Sequence, residues 1–150
     1  MSEVLIVYHS NTGNTGAMAE AIRDGATSAG ATVSLKKAAD ATAEDILAYD
    51  VIAFGTPNHF DYMSGVMKEF FDRVWMMIGE RAGNKLYATF SSADGGGRLA
   101  IDSIEYVCKV FNQWKPIRFK KAFEGIVAKG KPSAQVLGEC REMGKKLARL

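Results

Sequence analysis

The chain is poor in several residue types that carry chemistry. Its 150 residues include only two cysteines, two histidines and three prolines. Cys108 and Cys140 fall in segments of helical pattern and match no metal-ligand spacing, so reduced thiols and no metal site are expected. No apolar run approaches the roughly 18 residues needed to cross a bilayer. The apolar stretch at Val4 is too short for a secretion signal and has no basic lead-in, so a cytoplasmic protein without a membrane span is expected. Lysine and arginine are absent between residues 4 and 22.

What is present is unevenly charged. The net charge of +2 divides into 8 Lys/Arg against 14 Asp/Glu over residues 1–108, a balance of −6, and 11 against 3 over residues 109–150, a balance of +8. A basic third suits a nucleic acid or an acidic partner. The plainer reading is a solvated helix face and a lysine-rich edge strand that resists aggregation. No nucleic-acid motif accompanies the charge, so no nucleic-acid partner is expected.

The chain is organised around Val4–Thr15, VLIVYHSNTGNT. The run Val4–Tyr8 reads as a buried strand; a turn rich in hydroxyls, amides and glycine follows, then a helical pattern through Met18, Ala19, Ile22 and Ala26 up to Gly30. Thr32–Lys37 is a weaker second strand, Thr42–Leu47 a short helix and Val51–Gly55 a third, fully buried strand. Thr56–Ser64 reads as a loop, Gly65–Ile78 as a long helix and Leu86–Ser91 as a fourth strand. A glycine-rich loop at Ser92–Gly97 and a helix at Ala100–Trp114 follow. A fifth strand lies within Ile117–Val127, and Ser133 is suited to cap a last helix. Five strand–helix alternations without a linker predict one α/β domain over residues 1–150. The expected form is doubly wound, with a five-stranded parallel sheet of order 2-1-3-4-5 and helices on both faces. In that order, the loops after strands one, three and four meet at the carboxyl ends of the strands, where such sheets bind ligands.

The first loop offers backbone N–H groups, the hydroxyls of Ser10, Thr12 and Thr15 and the amides of Asn11 and Asn14, with Gly13 permitting a tight turn. A Walker-type site requires Gly-Lys-Ser/Thr and a dinucleotide site Gly-x-Gly-x-x-Gly; neither is present. A receiver's acidic cluster and a phosphatase's cysteine are missing too. What remains is a neutral, donor-rich cup for one phosphate monoester. The alternative is a hydroxyl-capped helix start with no ligand.

At these positions the chain resembles flavodoxins and the flavodoxin-like NAD(P)H:quinone reductases. Ser10-Asn11-Thr12-Gly13-Asn14-Thr15 matches the flavodoxin phosphate-loop pattern (Ser/Thr)-x-Thr-Gly-x-Thr at every fixed position. Gly55-Thr56-Pro57 with Phe60, Met63, Ser64, Met67, Lys68, Phe70 and Asp72 looks like the second flavin loop and helix of the reductases. The resemblance implies non-covalent FMN, its phosphate on Ser10–Thr15. The ring system would then lie between Thr56, Pro57, Asn58, His59, Phe60 and Tyr62 on one side and Ser91, Ser92, Ala93, Asp94 and Gly97 on the other.

The two branches of the family imply different chemistry. Carrier flavodoxins usually sandwich the flavin between aromatic rings of both later loops, and Ser92–Gly97 has none. They also often have a glycine in the second loop and are strongly acidic, and this chain is neither. These departures favour an NAD(P)H-dependent oxidoreductase passing electrons to a quinone-type acceptor, with NAD(P)H as donor. The alternatives are a one-electron carrier serving redox partner proteins and, from another class, a cofactor-free interaction module. Homo-oligomerisation stays open. His59 is the candidate for a role at the flavin or its substrate, against a solvent-facing histidine; His9 is expected to be packed and hydrogen-bonded.

Overall fold

The computed structural model describes residues 2–150. Strands β1 (Glu3–Tyr8), β2 (Thr32–Lys37), β3 (Val51–His59), β4 (Tyr62–Met63), β5 (Gly83–Ala93), β6 (Ile117–Lys121) and β7 (Ile126–Lys129) alternate with helices. The helices are α1 (Asn14–Ser28), α2 (Ala43–Ala48), α3 (Gly65–Ile78), α4 (Arg98–Trp114) and α5 (Ala134–Ala148). The sheet runs β2-β1-β3-β5-β6 with these strands parallel, the doubly wound order expected.

The apolar runs of β1 and β3 are buried because both sheet faces are covered, and the period-2 alternation of a strand splits them between two cores. Leu5, Val7, Ile52 and Phe54 face α2, α3 and α4; Val4, Ile6, Ala53 and Phe90 face α1 and α5. The first core is aromatic: the Phe54 ring centroid lies 5.2 Å from that of Phe71 and 6.1 Å from that of Tyr87. On the second face α1 and α5 approach backbone to backbone. A Cβ on Gly25 would lie 1.9 Å from the Arg141 carbonyl oxygen, and one on Gly144 2.0 Å from that of Ile22. Cys108 and Cys140 are free and buried, and no helix among the described residues is long and apolar enough to cross a membrane.

Two expectations are corrected. The fifth strand is two strands, β6 against the first half of β5 and β7 against the second. Gly125 sits in the break, where a Cβ would lie 2.4 Å from Thr89 Oγ1, so the chain can dip there only as glycine. Thr56–Ser64 is not a loop. β3 continues to His59 and folds back as antiparallel β4, with Asn58 opposite Met63 and His59 opposite Tyr62. The two-residue turn Phe60–Asp61 has φ of 56° and 58°. That is the left-handed pair of a tight hairpin, made here without the usual Asn-Gly.

Candidate functional site

Because β1, β3 and β5 are neighbours, the segments leaving their carboxyl ends converge. Asn11, Thr12 and Asn14 of the first segment face Pro57, Asn58 and His59 of the second and Ser92, Ala93 and Asp94 of the third. They enclose a cleft of about 190 Å³. Nine of the residues expected at the site thus share one cleft.

The first segment turns at Gly13, φ 96°, which starts α1 as its N-cap. The N-cap Gly13 has no side chain to cap the helix and the first turn has no acidic residue, so no negative charge within the turn offsets the positive end of the helix. Ser10 Oγ turns inward and accepts the N–H of Gly16 at 3.0 Å. Thr15 is buried, its Oγ1 2.7 Å from Ser92 Oγ, a bond tying the first segment to the third. Ser10 and Gly13 line a second cleft, of about 420 Å³, on the far side of the turn with Tyr8, His9, Glu20 and Lys37.

In the second segment Thr56 does not reach the cleft. It is fully buried, and its Oγ1 donates to the Pro57 carbonyl (2.8 Å) and accepts the Ser64 N–H (2.9 Å). Asn58 Nδ2 donates to the Gly95 carbonyl at 3.4 Å, while its Oδ1 is buried without a partner. An orphaned buried acceptor carries a desolvation cost that a ligand N–H would remove. Phe60 is fully exposed at the hairpin tip and Tyr62 is partly exposed, turned to a groove between α3 and α4. Neither ring stands over the cleft, contrary to the expected flanking role. In the third segment, Ser91 and Gly97 lie beneath the surface; a Cβ on Gly97 would lie 2.8 Å from Val127 Cγ1.

His9 is packed and hydrogen-bonded as expected, its Nδ1 2.9 Å from Ser64 Oγ, and Ser64 caps α3 by accepting the Met67 N–H at 3.2 Å. Burial pushes the His9 imidazole below its ordinary value, and the nearby His59 lowers it further. The two rings meet edge to face, centroids 6.3 Å apart. Sequence reasoning missed this pair, the Thr15–Ser92 bond and the two bonds that Ser64 makes. Ser64 had a legible signal, a serine directly before an apolar helical run.

A family model described as Flavodoxin matches residues 6–142. A flavodoxin of Aquifex aeolicus is 35% identical over 160 aligned positions that take in 99% of this chain and 86% of that one. An NAD(P)H dehydrogenase (quinone) of Archaeoglobus fulgidus is 33% identical over 130 positions, 67% of each chain. Among solved structures, a flavodoxin from the domain Archaea superposes with a TM-score of 0.78 at 26% identity, over 98% of this chain and 96% of that one. On this match, and on the strand order and convergent segments that agree with it, the chain belongs to the flavodoxin family, the FMN-binding proteins of electron transfer.

Proposed function

We propose that the chain acts as one FMN-binding domain that carries electrons between redox partner proteins. One observation carries the cofactor reading: the acid-free start of α1 and Asn58, whose Oδ1 is buried without a partner, stand at the same cleft. The first suits a phosphate; the second suits a ring N–H, which the flavin pyrimidine supplies. Asn11, Thr12, Gly13, Asn14 and the adjoining backbone would hold the phosphate. Pro57, Asn58 and His59 would line one side of the ring system, and Ser92, Ala93 and Asp94 the other. Bound FMN supplies the electron chemistry; the chain's own groups place it, hydrogen-bond it and set the local charge. The reading leaves Thr56 and Thr15 as internal ties that shape the cleft.

Sequence alone leans to an oxidoreductase. One feature now favours the carrier: the match that takes in 99% of the chain is to a flavodoxin. The second reading, an NAD(P)H-linked oxidoreductase with a quinone-type acceptor, keeps one supporting observation, the third segment without an aromatic ring. The buried free thiols suit a cytoplasmic setting for either.

Adding FMN to the purified protein is expected to quench flavin fluorescence at one equivalent and give a yellow protein after desalting. Protein that stays colourless removes the cofactor reading. Stepwise reduction then separates the two roles. A carrier shows a distinct one-electron stage and no steady-state NADH or NADPH oxidation; sustained turnover with a quinone replaces the carrier by the enzyme.

A further inference from the structure

The chain's only two histidines, far apart in sequence, stand side by side at the wall of the cleft. They are not equivalent. His9 faces a hydroxyl shut off from water: Ser64 is fully buried and its Oγ already accepts the Met67 N–H. With the Ser64 O–H donated to His9 Nδ1 the ring proton lies on Nε2; with Nδ1 protonated the ring would instead donate to the second lone pair of Oγ. A charged His9 would present an N–H there instead, forcing the buried Ser64 hydroxyl to find another acceptor. His59 lies on the hairpin arm, half-buried, and lines the cleft itself.

We propose that His9 and His59 work as an unequal imidazole pair, His9 held neutral as the acceptor of the Ser64 hydroxyl and His59 alone carrying a switchable positive charge into the cleft, where it draws in the anionic cofactor. The proposal rests on the FMN reading above and adds a proton-linked residue to it.

Other titratable groups lie around both rings. His9 has Tyr8, Glu20 and Lys37 about the second cleft, where the carboxylate and the ammonium oppose each other. His59 has Asp61 in the adjoining turn, Tyr62 across the hairpin and Asp94 on the facing segment. Once His59 is charged, its neighbour is opposed from 6.3 Å away as well as by burial. The pair therefore takes its first proton on the ring that faces the cleft. FMN brings a phosphate of net negative charge, so its binding raises the occupancy of that proton. The added affinity is present below the His59 midpoint and fades as pH rises through it.

Proton NMR of the ligand-free protein tests the pair directly, since two imidazoles give two ring signals assignable with His9→Gln and His59→Gln. Two separate steps are expected as pH falls, with His9 the later of the two. In His59→Gln, His9 should titrate higher than in the wild type. Coincident midpoints, His9 titrating first, or no response of His9 to His59→Gln would overturn the pair. The recruiting role is read from FMN affinity. The ratio of wild-type to His59→Gln affinity should grow about three- to tenfold from about pH 8 to about pH 5.5, the phosphate's own titration cancelling in the ratio. A flat ratio overturns that role. FMN binding to neither protein would instead overturn the cofactor reading and the recruiting role together, with the titration curves still deciding the pair.

Discussion

The Phe60–Asp61 turn is a place where the chain gives up stability, and replacing it with Asn-Gly should recover some. Both residues hold left-handed backbone, φ 56° and 58°. For a residue with a Cβ that conformation costs roughly 1–2 kcal/mol, less for Asp than for Phe. The Phe60 side chain offers nothing in return, since it is 103% exposed and its removal uncovers no core. The turn persists because its arms are fixed: Asn58 pairs with Met63, His59 with Tyr62, and the Met63 N–H donates to the buried Ser103 hydroxyl at 2.9 Å. Phe60→Asn should therefore stabilise by about 1 kcal/mol. Asp61→Gly should add less, because glycine in the unfolded chain returns about 0.5–1 kcal/mol of entropy. The double variant is expected to gain about 1–2 kcal/mol, a rise in Tm of about 3–6 °C for a chain of this size. Urea unfolding of ligand-free protein, with m unchanged, is the assay. An unchanged or lower midpoint would refute the reasoning, because it would mean that the Phe60 ring makes contacts in solution that outweigh the backbone strain. The same variants titrated with FMN show what the strain serves. Strained residues persist where function holds them, so a firmer fold with weaker FMN binding is the expected pairing.

Three further outcomes follow from the packing. Gly144→Ala should cost about 2–3 kcal/mol, because its Cβ would sit 2.0 Å from the Ile22 carbonyl oxygen, whereas Gly138→Ala on the same helix should be neutral or slightly stabilising, meeting only Arg141 Nη2 at 3.9 Å. Equal thermal shifts for the two would contradict the close α1–α5 contact. Thr15→Val should cost about 1–3 kcal/mol by stranding the buried Ser92 hydroxyl, and adding Ser92→Ala should recover part of it in a double-mutant cycle; strict additivity would deny the bond. Burial raises the Asp45 carboxyl, but the Lys36 bond at 2.7 Å and two bonds from Thr42 outweigh it and hold the group below the usual carboxylate range. A depressed carboxyl stabilises above its unfolded value and loses that contribution as pH falls through the folded one. The stability gap between wild type and Asp45→Asn in urea should therefore shrink as pH is lowered from about 5 towards about 2, and a gap independent of pH would rule the ion pair out as its source.

Much of the fold was legible because its signals are local. Val4–Val7 and Val51–Phe54 announce strands covered on both faces, and Ser133 announces the start of α5, accepting the Val136 N–H at 3.2 Å. The phosphate-loop pattern was legible too, since its residues are consecutive. What stayed hidden depends on contacts made across the chain. The hairpin was read as a loop because its turn uses Phe-Asp, residues that do not advertise left-handed backbone. The split of β6 from β7 depends on Gly125 fitting against Thr89 and Ile101. The ties that build the site join residues 55 and 77 positions apart, His9 to Ser64 and Thr15 to Ser92. No sequence period connects such positions.

Those ties also say how the cleft should respond to its cofactor. Ser92 and Ala93 of the third segment are held in the β5 ladder, but Asp94-Gly95-Gly96-Gly97 beyond them has three glycines and lies outside any strand. Two side chains tie the third segment to the other segments: Thr15 holds Ser92, and Asn58 holds the Gly95 carbonyl. The Asn58 bond is long at 3.4 Å, and the other amide atom of this cleft residue, Oδ1, is buried without a partner. A ligand N–H that satisfies Oδ1 fixes the amide and so firms its bond to Gly95. The hairpin, by contrast, is already held by its own ladder and by Ser103. Added FMN should therefore slow hydrogen exchange most at the third segment, residues 93–97, and less at Tyr62 and Met63. Asn58→Ala should remove most of that protection while leaving the exchange of β1 and β3 unchanged. Equal protection of hairpin and third segment, or third-segment protection that survives Asn58→Ala, would show that the cofactor orders this loop by direct contact and that Asn58 does not transmit it.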